Sequence, residues 1–136
     1  MQQDEPIKIG RIARPTERAL GISLTGEVAI YMDEELVNSL AQRRPADYLS
    51  VLEEISSLIH DPDFVSFDEE KEMLVYQKNY YKQGAFESVY LIVKRRKRPI
   101  RWYLEAFCKG PRTCVPDKVE RHNFVRPQLR AIPQKD

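Results

Sequence analysis

Along most of the chain the apolar positions recur with one of two periods, and the change between them falls near Asp61. From Asp33 to about Gln42, Leu36, Val37, Leu40 and Ala41 form a helical stripe that Asp33 can cap. Arg43-Arg44-Pro45 interrupts it, and Pro45 is placed for the first turn of a second helix, roughly 46–60. There Tyr48, Leu52, Ile55 and Ile59 make the core stripe. Asp61-Pro62-Asp63 ends that helix, because the residue before a proline avoids the helical region. Beyond it "DFVSF", "EMLVYQKNYY", "ESVYLIVKR" and "PIRWYLEAFC" read as strands, with gaps short enough for hairpins. "SLTGEVAIY", ahead of the helices, is a fifth candidate, with Thr25-Gly26 as a turn or bulge. The pattern predicts an α+β fold: two N-terminal helices packed on one face of a four- to five-stranded antiparallel sheet, with Trp102 in the core. Residues 1–22 read as a polar N-terminal arm, 23–108 as the domain, and 109–136 as a basic, Pro-rich C-terminal tail.

Composition narrows the class. At 136 residues, 42% hydrophobic and 32% charged, the chain is long enough for one domain with a core of its own. No apolar run approaches the roughly 18 residues of a membrane span, and "MQQDEPIKIGR" is not a secretory leader. Two cysteines, Cys108 and Cys114, do not make a disulfide framework, so a cytoplasmic location is the simplest expectation. The net charge of +1 conceals an asymmetry: 13 acidic and 3 basic residues from Glu27 to Glu72, but 12 basic and 3 acidic from Lys94 to Arg130. The basic block suits a polyanion such as RNA; equally, the two halves can neutralise each other across the fold.

Charge and alternation together single out one face of the sheet. In "RPIRWYLEAFCKG", Ile100, Trp102, Leu104, Ala106 and Cys108 fall on one side, and Arg101, Tyr103, Glu105 and Phe107 on the other, about 7 Å apart. With Trp102 and Leu104 turned to the helices, their neighbours are expected to be Val89, Leu91 and Val93, then Met73 and Val75. The open face then carries Arg101, Tyr103 and Glu105 beside Tyr90, Ile92 and Lys94, and beside Tyr76, Lys78 and Tyr80. Tyrosines among cations suit bases and phosphates, although strands also use tyrosines simply as cross-strand packing. RNA cleavage by the ribose 2′-hydroxyl would need a base, an acid and cations. Glu105 is the natural base, Arg101 and Lys94 hold the phosphate, Tyr103 or Tyr90 donates a proton, and His122 can serve as acid if the tail folds back. His60 ends a helix, where a cation meets the helix dipole favourably.

Other chemistries lack their signatures. Cys108, Cys114 and His122 have no regular zinc spacing, and the acidic residues from Asp61 to Glu72 lack the glycine of a calcium loop. Phosphate-loop, dinucleotide and metalloprotease motifs are missing as well, so neither metal nor cofactor is expected.

The order of elements adds a resemblance. The strand and helix in "VAIYMDEELVNSLAQRRPADY", the helix closing on "EISSLIHDPDFV", then "MLVYQKNYY", "VYLIVKRR" and "IRWYLEAFC" resemble the phage-borne nuclease-like domains grouped with barnase, EndoU, colicin-type and RelE toxins. The likeness covers roughly Val28 to Cys108, and its most specific piece is Leu58 to Val65. It implies a metal-independent, toxin-type endoribonuclease fold with its site on the open sheet face. It also implies RNA as the partner, and an antitoxin or immunity protein alongside. On that face Lys94, Tyr90, Lys78, Tyr76, Arg44, Arg96, Lys97 and Arg98 would hold RNA, and Glu105, Arg101, Tyr103 and His122 would carry the chemistry. One departure stands out. The family's His-Pro dipeptide falls on Arg44-Pro45, and an arginine holds phosphate but cannot act as an acid near neutral pH. The alternative is a non-catalytic interaction module of a phage or mobile element, in which the acidic and basic halves pair between subunits.

Overall fold

The computed structural model describes residues 6–22, 28–43, 46, 48–82, 84–97, 100–111 and 124–127. The elements run β1 (Ile7–Arg11), α1 (Arg14–Leu20), β2 (Ala29–Met32), α2 (Glu34–Arg43), α3 (Tyr48–His60), β3 (Phe64–Asp68), β4 (Met73–Lys82), β5 (Ala85–Lys97) and β6 (Ile100–Pro111). The strands form one sheet in the order β1-β2-β6-β5-β4-β3. All neighbours are antiparallel except β2 and β6, which pair in parallel through Ile30–Trp102 and Tyr31–Tyr103. No described helix is long and apolar enough to cross a membrane.

The α+β class is as expected, and the detail differs. Three helices and a mixed six-stranded sheet are described, against the expected two helices and four or five antiparallel strands. The first 22 residues are not merely an arm: they supply β1 and the short helix α1. Gly21 ends α1 in the left-handed region (φ 70°), and the Ile22 N–H donates to the Glu17 carbonyl. Residues 23–27, the first part of the fifth strand candidate, lie outside the described residues.

Asp33 caps α2 as its position suggested, its Oδ1 accepting the Leu36 N–H at 3.0 Å. On α3 the buried side chains are Val51, Ile55, Leu58 and Ile59, with Leu52 only partly covered; the Tyr48 side chain is not among those described. These meet Ile9, Ile12, Ile30, Met32, Leu74, Tyr76, Val89, Leu91, Val93, Trp102 and Leu104 in one core. β1 lies close over α3. A Cβ at Gly10 would come 3.2 Å from Ile59 Cγ2, so glycine is what allows the approach.

Two features set which side chains leave the core. The first is a bulge in β6: Leu104 pairs with Val93 and Ala106 with Ile92, which leaves Glu105 as the extra residue. Past it the alternation shifts by one. Phe107 therefore joins the helix-side core, while Ala106 and Cys108 turn to the far face, the reverse of the expected sides. The second is the phase of β4. Its register with β5 pairs Tyr76 with Leu91 and Lys78 with Val89, so Tyr76, Lys78 and Tyr80 face the helices, and Met73 and Val75 face away.

The far face is divided. Met73, Val75, Tyr90, Ile92, Ala106 and Cys108 form a second apolar cluster, over which Phe124 packs edge-on against Tyr90 at 6.2 Å. The segment Phe124–Pro127 is held there by reciprocal 2.8 Å backbone bonds between Val125 and Val65, and by the Arg126 guanidinium 4.7 Å above the Phe64 ring. The other half of this face is polar.

Much of the basic block is neutralised within the chain. Glu72, in the β3–β4 turn with φ 51°, takes Lys97 at 3.1 Å and Arg95 at 3.2 Å; Arg96 meets Asp33 and Glu105, each at 3.0 Å. The Lys97 hydrogen bond holds the Glu72 carboxyl below its ordinary value; desolvation opposes this, and the charges of Lys97 and Arg95 add to it. Because the folded group is the stronger acid, its contribution is fully present above the ordinary carboxylate pKa and is lost as the pH falls from there through the lowered folded value. Glu72→Gln should therefore show a smaller drop in urea midpoint than the parent protein between neutral pH and about pH 3. Equal drops would mean that these contacts do not persist in solution.

Candidate RNA-binding face

Register across four strands places Lys8 of β1, Tyr31 of β2, Tyr103 of β6 and Lys94 of β5 in one row on the far face. At about 4.8 Å per strand the row spans roughly 14 Å. Arg101 and Arg96 pair with each other one step along the strands. The Arg101 guanidinium sits 4.9 Å from the Tyr31 ring centre and that of Arg96 4.1 Å from Tyr103, while the two rings lie 6.1 Å apart. The tyrosines thus act as supports. Tyr103 is only 7% exposed, and each ring holds a guanidinium at cation–π distance. Lys8 and Lys94 are exposed and form no ion pair among the described residues.

Glu105 stands at the edge of this face because the bulge puts it there. Its Oε2 accepts from both Arg96 Nε (3.2 Å) and Nη2 (3.0 Å), and Arg96 Nη2 also donates to Asp33 Oδ2 at 3.0 Å. Burial works against the charge on Arg96, but the Glu105 and Asp33 carboxylates outweigh it and keep the guanidinium above its ordinary value. Both bonds to Glu105 fall on one oxygen. The carboxylate also lines an open cleft of about 450 Å³ with Leu104, Arg96, Asp33, Leu36 and Ser39.

Of the residues singled out from sequence, Arg101, Tyr103, Glu105, Lys94 and Arg96 come together here. Others do not. Tyr76 is fully buried on the helix side, its hydroxyl is without a partner, and burial pushes the phenol far above its ordinary pKa. Lys78 is also on the helix side, donating to the Asp61 carbonyl at 2.9 Å with the Asp61 and Asp63 carboxylates at 3.7 and 3.8 Å. Tyr90 is on the far face but only 3% exposed: Phe124 packs against its ring and its hydroxyl accepts from Gln77. Lys97 is taken up by Glu72. Arg44, Arg98 and His122 lie outside the described residues. Sequence reasoning missed Lys8, Tyr31 and Asp33. The alternation in "IKIGR" and "AIYM" marks the first two, but only the parallel pairing of β2 with β6 brings them to the site.

Comparison with protein-family models, curated proteins and solved structures returns no match for this chain.

Proposed function

We propose that the protein binds RNA across the polar half of its far sheet face. The observation that carries this reading is the row Lys8–Tyr31–Tyr103–Lys94 flanked by two guanidiniums at cation–π distance from its tyrosine rings. A guanidinium can stack on a base or donate to phosphate oxygens, Arg96 through the N–H groups that Glu105 and Asp33 leave it, and lysines at both ends of the row follow the backbone. A four-stranded surface of this kind accommodates about two or three nucleotides. Single-stranded RNA fits it better than a duplex, whose bases are not open to stacking.

Filter binding to single-stranded RNA at rising salt tests the proposal. With three or four phosphates engaged, the logarithm of the binding constant should fall against that of salt with a slope of about −2 to −3. Lys94→Glu combined with Arg101→Glu should weaken binding at least about 100-fold, since two charge-assisted contacts are lost and two repulsions are added. A flat salt dependence, or a double variant that binds like its parent, would remove the reading.

A second reading, that bound RNA is also cut, is favoured by Glu105. A general base must be oriented by a further group, and Arg96 fixes this carboxylate through a single oxygen at the rim of an open cleft. This is the chemistry that the resemblance to nuclease-like domains implies.

A further inference from the structure

We propose a second binding site, for a small amphipathic oxyanion, in the cleft where β1 and the start of α1 meet the end of α3. The cleft has a volume of about 420 Å³, within the roughly 300–1,000 Å³ usual for small-molecule sites. Its floor is apolar. Ile9 and Ile59 are 7% and 1% exposed, and Gly10, packed against Ile59, lies beside them. Ser56, also on the wall, spends its hydroxyl proton on the Ile9 carbonyl at 2.7 Å, so it has no donor left to offer. Donors come from Arg14 and His60, which line the same cleft.

Arg14 and His60 form no ion pair among the described residues, whereas Lys78, Arg95, Arg96 and Lys97 all meet carboxylates. An arginine and an imidazole beside an apolar floor fit a ligand with both parts. An inorganic anion would leave the floor wet, and a neutral hydrocarbon would make no use of the rim. The arginine fork accepts carboxylate and phosphate geometry alike, so the shared chemistry is an oxyanion on a short apolar body. The site is separate from the RNA-binding face, and neither proposal depends on the other.

Methyl NMR of the isoleucines in the full chain, titrated with octanoate, octyl phosphate, octan-1-ol and inorganic phosphate, decides it. Octanoate or octyl phosphate at millimolar concentration should shift the Ile9 and Ile59 methyls in a saturable way, and which of them binds tighter identifies the head group. Arg14→Glu, at an exposed position, should weaken that binding at least about tenfold, as loss of one charge-assisted contact requires. Lys94→Glu, on the far face, should leave it unchanged. The proposal is overturned if neither amphiphile saturates, if octan-1-ol binds equally well, if inorganic phosphate alone reproduces the shifts, or if folded Arg14→Glu binds like its parent.

Discussion

Glu105→Gln is expected to bind RNA as the parent protein does and to cut it about 10²–10⁴-fold more slowly, the usual loss when a positioned base is removed. The amide keeps the shape of the side chain and one oxygen for Arg96, so the bulge and its neighbours have little reason to move. The measurement is a gel time course on total RNA with chelator present, beside thermal melts of both proteins. Melts should agree closely, because a substitution at a partly exposed position usually changes stability by less than about 0.5 kcal/mol. Cleavage by the parent and none by the variant would make Glu105 catalytic. Equal cleavage by both would place the chemistry elsewhere. Absence of cleavage by the parent on every RNA tried would leave the binding surface alone.

Trp102→Ala should produce the largest loss of stability, about 3–5 kcal/mol. The indole is 2% exposed near the start of β6, with Ile30 beside it on β2 and the Phe67 ring 6.4 Å away. Against the 5–15 kcal/mol that usually holds a domain together, such a loss is a fifth or more, and Tm should fall by roughly 10–20 °C. RNA binding should weaken as well. Among the described residues two pairs join β2 to β6, and Trp102 belongs to one of them, so the cavity loosens the strand that positions Tyr31 and Lys8. Trp102→Phe should be milder. A loss below about 1 kcal/mol for the alanine variant would show that the tryptophan is not held as described.

Much of the fold could be read locally. Periodicity and capping located α2 and α3, and short gaps between alternating runs located β3 to β6, because hairpins and helix starts are written in adjacent residues. The β4 phase could not be read the same way. In Met73-Leu74-Val75-Tyr76 both sides are apolar and both are buried, one under the helices and one under Phe124, so alternation provides no direction. Tyr76 and Lys78 were misplaced for that reason. The bulge at Glu105 is silent for a similar reason: an inserted residue changes pairing without changing composition. β1, five residues next to proline, is too short for its alternation to stand out, and nothing near Ile30 announces a partner at Trp102. The candidate face was legible where it lies on β5 and β6, and illegible where it depends on β2.

That parallel pairing has a consequence for how the molecule is made. Ile30 and Trp102 stand 72 positions apart, so synthesis must run through α2, α3 and most of the sheet before β2 gains its inner neighbour. β4, β5 and β6 close on one another through nearby contacts and can form first, whereas the β1–β2 ribbon waits with an unpaired edge. On the ribosome, therefore, Lys8 and Tyr31 join Tyr103 and Lys94 only after β6 has emerged. A nascent or truncated chain that lacks β6 cannot assemble the row on which the proposed RNA binding rests, and its open β2 edge is where such a chain would aggregate.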